Sequence, residues 1–72
     1  MLGDAIERLT PREVEILDAV SRGRTNAQIA ADLEVTVHTV KFHLGSVYRK
    51  LDAANRTEAS ARWLRRPAHE EA

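Results

Sequence analysis

A chain of 72 residues makes one small domain with a single modest core, since at this size only about 60% of the unfolded surface is hidden on folding. With no Cys it has neither a disulfide staple nor a thiolate metal ligand, which fits a reducing cytoplasm. No apolar run approaches the roughly 18 residues of a membrane span, and the start, MLGDAIERL, carries acids where a signal peptide has basic residues. The expectation is therefore a soluble, cytoplasmic protein.

The formal charge of zero conceals a segregation. Residues 1–20 hold five acids against two arginines, a net of −3, whereas residues 21–66 hold nine basic side chains against four acids, a net of +5; in the tail Glu70 and Glu71 add −2. An acidic front and a basic back are compatible with a polyanionic partner for the second part, and equally with ordinary solvated faces.

In chain order, residues 1–8 read as a lead or linker. Thr10-Pro11-Arg12-Glu13 then combines an N-cap hydroxyl, Pro at the first helical position and a carboxylate at N3, so a helix is predicted over 11–22. Leu9 and Val14 stand at the positions of a hydrophobic staple, Ile16, Leu17 and Val20 form an inward stripe, and Gly23 can take the left-handed conformation that ends the helix. Thr25-Asn26-Ala27-Gln28 repeats the capping spacing and opens a short helix over 26–33, with Ile29, Ala30 and Leu33 on its apolar side. Thr36 caps a helix over 37–51, and Asn55-Arg56-Thr57-Glu58 is a fourth box opening a helix over 56–65, which Pro67 forces to stop. The tail, residues 67–72, is expected to be flexible.

The third of these helices needs an argument, because EVTVHTVKFHL alternates apolar and polar residues as a strand does, and Val, Thr and Phe favour sheets. Extending the stretch decides the matter. At 100° per residue Val40, Leu44, Val47 and Leu51 fall within about 60° of one another, a stripe longer than a short strand sustains. The β-branched residues cost only tenths of a kcal/mol each in a helix. Phe42 then lies about 160° from the centre of that stripe, on the face of His38, Gly45 and Arg49. A lone exposed aromatic is ordinary on a surface. Beside Lys41, His38 and Arg49, however, it suits a helix in a DNA major groove, where a thymine methyl accepts apolar contact and Lys pairs with guanine O6 and N7.

The second and third helices are joined by about three residues, 34–36, the length of a helix-turn-helix connection. LTPRE at 9–13, the G-x-TN-x-x-IA-x-x-L run ending at Leu33, TVKFH at 39–43, KL at 50–51 and NRTEA at 55–59 stand in fixed order. Over residues 9–66 the chain resembles the LuxR-type (GerE, NarL/FixJ) DNA-binding domain. The resemblance implies an all-α, four-helix fold and a transcription regulator of response-regulator type acting on double-stranded DNA. It implies base contacts at Lys41, Phe42 and Gly45 with His38 nearby, and phosphate contacts at Thr25, Asn26, Thr39, Arg49, Lys50 and Arg56. The last helix would pair two protomers on a two-fold-related site. Glu34 stands where the family's turn usually has Gly, so a positive φ there costs on the order of 1 kcal/mol. Gly45 replaces the polar or basic side chain of many relatives, at a cost of about 1 kcal/mol inside a helix.

Other residues have two readings each. Glu13 completes its cap, or also pairs with Arg56 as the family resemblance suggests. His43, five positions from His38, reads as a packing or hydrogen-bonding residue; no metal or cofactor is expected. Trp63 reads as packing on the first predicted helix, leaving Ser60, Ala61 and Leu64 as candidates for a dimer seam. Arg62, Arg65 and Arg66 fit either phosphate contact or cations at a helix C-terminus. The rival function is a protein-interaction module that docks on RNA polymerase or a sensor partner with Phe42 as anchor. An enzyme finds little support: no phosphate-cradling Gly-rich loop, no Cys nucleophile and no H-E-x-x-H occur.

Overall fold

The computed structural model describes residues 2–67, so of the expected tail only Pro67 lies within the described residues. Among the described residues five helices follow one another: α1 Leu2–Glu7, α2 Pro11–Ser21, α3 Asn26–Leu33, α4 Val37–Leu51 and α5 Arg56–Leu64. The stretch that alternates like a strand is helical from Val37 onward.

The starts are set by the side chains that the capping pattern names. Thr10 accepts from the Glu13 amide while the Glu13 carboxylate accepts from the Thr10 amide, and Thr25 with Gln28 does the same. Thr36 accepts from the amide of Thr39. At α5 only half of the box forms: Asn55 accepts from the Glu58 amide, but Glu58 bonds the amide of Ala54 instead of that of Asn55. The backbone of Asn55 is fully extended, with φ −162 and ψ 179, unlike the other caps, and it is Ala54 that presents its N–H. Helices α2 and α5 end one residue before the predicted limits.

Three helix ends close in one way. The amides of Arg24, Val35 and Ala53 reach back five residues to the carbonyls of Ala19, Ala30 and Tyr48 at 3.1, 2.9 and 2.9 Å. Each such closure needs a left-handed residue just before it, supplied by Gly23 (φ 88), Glu34 (φ 59) and Asp52 (φ 54). Glu34 thus keeps a positive φ although it is not Gly.

α1 has no counterpart among the four predicted helices. Six residues are too few for an isolated helix in water, and α1 is held by docking against α4. Its Ala5 and the following Leu9 are buried in a cluster with Leu17, Val47, Leu51, Ala59 and Trp63. A second cluster joins Ile16, Val20, Ile29, Ala30, Val40 and Leu44, and the half-buried Val35 packs against it. Both clusters draw on α2 and α4, and Tyr48 packs against both. α4 is therefore the helix that binds the domain together, its Val40, Leu44, Val47 and Leu51 all inward.

Candidate nucleic-acid interface

With one side of α4 committed to the core, its opposite side is free. Phe42 is 67% exposed, and His38, Lys41 and Arg49 are exposed with it. The phenyl ring meets His43 edge-on, with centroids 5.8 Å apart and planes at 72°. Gly45 lies one turn beyond Lys41, and a Cβ placed there would find only the guanidinium of Arg49 at 3.7 Å. The face therefore carries a projecting ring, cationic neighbours and an open notch. Val37, 38% exposed at the start of the same helix, is an addition to the residues singled out from the sequence.

The six residues expected at phosphates divide into two groups. Thr25 and Arg49 are exposed, and Thr39 is half-buried with its hydroxyl accepting from that of Thr36 at 3.0 Å. Asn26, Lys50 and Arg56 are half-buried and hold internal partners. The Arg56 guanidinium donates to Asn26 Oδ1 at 2.7 Å and to the carbonyl of Arg24. Lys50 Nζ donates to Glu13 Oε1 at 2.9 Å and to the carbonyl of Arg8 at 3.3 Å. Of the two readings of Glu13 the cap is made, and the pair with Arg56 is not, Lys50 taking that place. Arg56, at the start of α5, reaches the α3 entrance, while Lys50, in the last turn of α4, reaches the start of α2.

The family described as bacterial regulatory proteins, luxR family (GerE), matches residues 7–62. The chain belongs to this family. Its similar relatives include the quorum sensing-dependent transcriptional regulator RpaR of Rhodopseudomonas palustris, 56% identical over 57 residues, which cover 79% of this chain and 24% of that protein. The transcriptional regulatory protein LiaR of Bacillus subtilis is 44% identical over 54 residues, 75% of this chain and 26% of LiaR. The probable transcriptional regulatory protein SgaR of Hyphomicrobium methylovorum is 48% identical over 58 residues, 81% of this chain and 28% of SgaR. The chain thus spans about a quarter of the length of the curated relatives it matches. No solved structure gives a significant match.

Two carboxylates brace this luxR-family domain. Burial of Glu13 raises its pKa, but bonds from Lys50, the Thr10 amide and Ser46 outweigh that and hold it at about 2. Asp18 is lowered by the Trp63 indole N–H, which donates at 3.0 Å, and by Arg22, against the opposing effect of burial. Trp63 is buried against α2 as its spacing from Ala59 predicts, and the Arg66 guanidinium lies 3.7 Å over its ring. Arg62 donates to the carbonyl of Leu51 at 3.0 Å. Leu64 is 64% exposed, with Ser60 and Ala61 half-buried on the same short helix. Among the described residues no helix is long and apolar enough to cross a membrane.

Proposed function

We propose that the chain binds double-stranded DNA sequence-specifically and regulates transcription in the cytoplasm, with α4 lying in the major groove. The observation that carries this reading is the 67% exposure of Phe42 beside His38 and Lys41, on the side of α4 opposite four buried aliphatics. A helix of this width fits the groove, and these side chains match what base edges offer. Lys41, Phe42 and His38 contact bases, and Gly45 admits close approach. Thr25, Asn26, Thr39 and Arg49 hold phosphates, the helix N-terminus at Thr25 adding partial positive charge. Lys50 contributes charge to the same border while its hydrogen bonds go inward, and Arg56 turns both arms of its guanidinium to the α3 entrance. The family and the regulators it contains support transcription control rather than enzymatic chemistry.

Two protomers pair through Ser60, Ala61 and Leu64 of α5 on a two-fold-related site. The exposed Leu64 favours this over other faces of that helix. Selection of duplexes from a random pool, followed by titration at several salt concentrations, tests the reading. A palindromic site whose affinity falls with added salt is expected. Absence of salt-sensitive duplex binding at micromolar protein refutes it.

The same exposed phenyl favours one alternative, docking on RNA polymerase or a sensor partner. There, Phe42→Ala removes partner binding and leaves duplex affinity unchanged.

A further inference from the structure

We infer that Arg56 is a positioning residue, which clamps the start of α3 and turns the Asn26 amide so that its N–H donors face outward to a phosphate. This rests on the DNA-binding reading given above. Its basis is the fork of Arg56: one arm, Nη1, reaches Asn26 Oδ1 at 2.7 Å and the other, Nη2, reaches the carbonyl of Arg24. These two residues flank Thr25, the N-cap of α3, whose extended backbone (φ −81, ψ 161) and box with Gln28 define the helix entrance. One planar guanidinium thus grips the chain on both sides of the cap, across 30 and 32 residues of sequence.

The side-chain amide of Asn26 has one acceptor and one donor end. A guanidinium has donors only, so the end that faces Arg56 is the oxygen, and the NH2 is left as the outward group. That orientation gives a neutral side chain the polarity an anion requires. Arg56 itself gains nothing from its place in α5: it is the first residue of that helix, where the macrodipole disfavours a cation. Its partners on the two sides of the α3 cap, Asn26 and Arg24, account for its position there. With its two arms turned inward and its side chain half-buried, it serves the phosphate site through Asn26 and Thr25 instead of meeting a phosphate.

The experiment compares the full chain with Arg56→Lys, Arg56→Ala, Asn26→Ala and the Arg56→Ala/Asn26→Ala double variant, on the duplex the wild type selects from a random pool. Lys keeps the charge but not the fork. Both Arg56 variants are therefore expected to bind about tenfold more weakly than wild type. The slope of log affinity against log salt stays at the wild-type value in all of them, because no phosphate charge is lost. Asn26→Ala costs less in the Arg56→Ala background than in the wild type. A slope reduced by about 0.9 in Arg56→Ala, the mark of one neutralised phosphate, overturns the inference. So does wild-type affinity in Arg56→Lys. Amide NMR spectra of free Arg56→Lys provide a readout without DNA: the Thr25, Asn26 and Gln28 resonances shift while those of α5 beyond its first turn hold, and unmoved α3 resonances overturn the clamp. If the wild type selects no duplex, the DNA-binding reading falls, and the spectra alone decide whether Arg56 holds the α3 entrance.

Discussion

The ammonium of Lys50 stands 2.9 Å from the carboxylate of Glu13, tying the last turn of α4 to the first turn of α2 across 37 residues. Glu13 is 4% exposed and accepts from the Thr10 amide with the same oxygen at 2.8 Å, so the cap of one helix and the end of another share a buried charge. Such a pair is costly to break from one side, because the remaining charge stays desolvated.

That arrangement makes stability depend on acid. The folded pKa of Glu13, about 2, lies below its ordinary 4.5, so the stabilisation is complete above pH 4.5 and is lost as pH falls toward 2. The difference corresponds to roughly 3 kcal/mol, a large share of what a domain this small possesses. Asp18, also lowered, loses stabilisation in the same direction. Urea unfolding across this range measures the fall. Glu13→Gln flattens the portion due to residue 13, and an unaltered acid profile in that variant contradicts the assignment.

Glu34 occupies the left-handed conformation, φ 59, in a turn that closes like the one at Gly23. An L side chain is strained there, while Gly is not. Glu34→Gly should raise stability by about 0.5–1 kcal/mol, the relief of strain exceeding the extra flexibility of the unfolded chain. A melting temperature that falls would mean that the Glu34 side chain contributes more than its strain costs.

Those same turns mark how far the amino-acid pattern reached. Local signals were legible: three hydroxyl caps, the aliphatic period of α4 and the outward Phe42 each depend on residues within a few positions of one another, and the structure has them all. Gly23 announced its helix end, whereas Asp52 ends α4 by the same geometry with no such signal, since Asp takes this conformation only occasionally. The short α1 carries no cap signal and depends on α4 for its order. Charge partners were the least legible, because Lys50 to Glu13 and Arg56 to Asn26 span 37 and 30 residues, and a basic side chain that looks free in sequence is spent inside the fold.

Gly45 offers a separation of stability from binding. Its backbone is helical, and an added Cβ meets only the end of the flexible Arg49 side chain at 3.7 Å, ordinary van der Waals contact. Gly45→Ala should therefore stabilise the fold by about 1 kcal/mol. If a base pair approaches the notch, the same substitution weakens duplex binding. Unfolding curves and duplex titrations on one preparation compare the two, and equal or tighter binding shows that the notch is not used.

Pairing through α5 predicts that Leu64→Glu leaves the monomer folded, as the side chain is 64% exposed and its loss costs at most about 0.5 kcal/mol. The charge, placed in an apolar seam, should abolish cooperative occupancy of two half-sites while a single half-site is still bound. Sedimentation with duplexes of one and two half-sites distinguishes these. Undiminished cooperativity places the seam elsewhere.

Phe42 permits the most direct test of base reading, since its ring can be matched to a single group on the DNA. The C5 methyl of thymine is the apolar feature of the major groove, and Phe42 is the most exposed large apolar side chain on α4. Replacing thymines of the selected site one at a time by deoxyuridine removes the methyl and leaves every hydrogen bond of the base pair intact. One or two such positions should weaken wild-type binding several-fold, about 1 kcal/mol for a methyl-sized contact. Phe42→Ala should fold as stably as wild type, bind the unmodified duplex more weakly, and no longer distinguish thymine from uracil at those positions. If the variant retains that discrimination, the methyl is read by another side chain, Val37 being the other exposed large apolar residue of the helix.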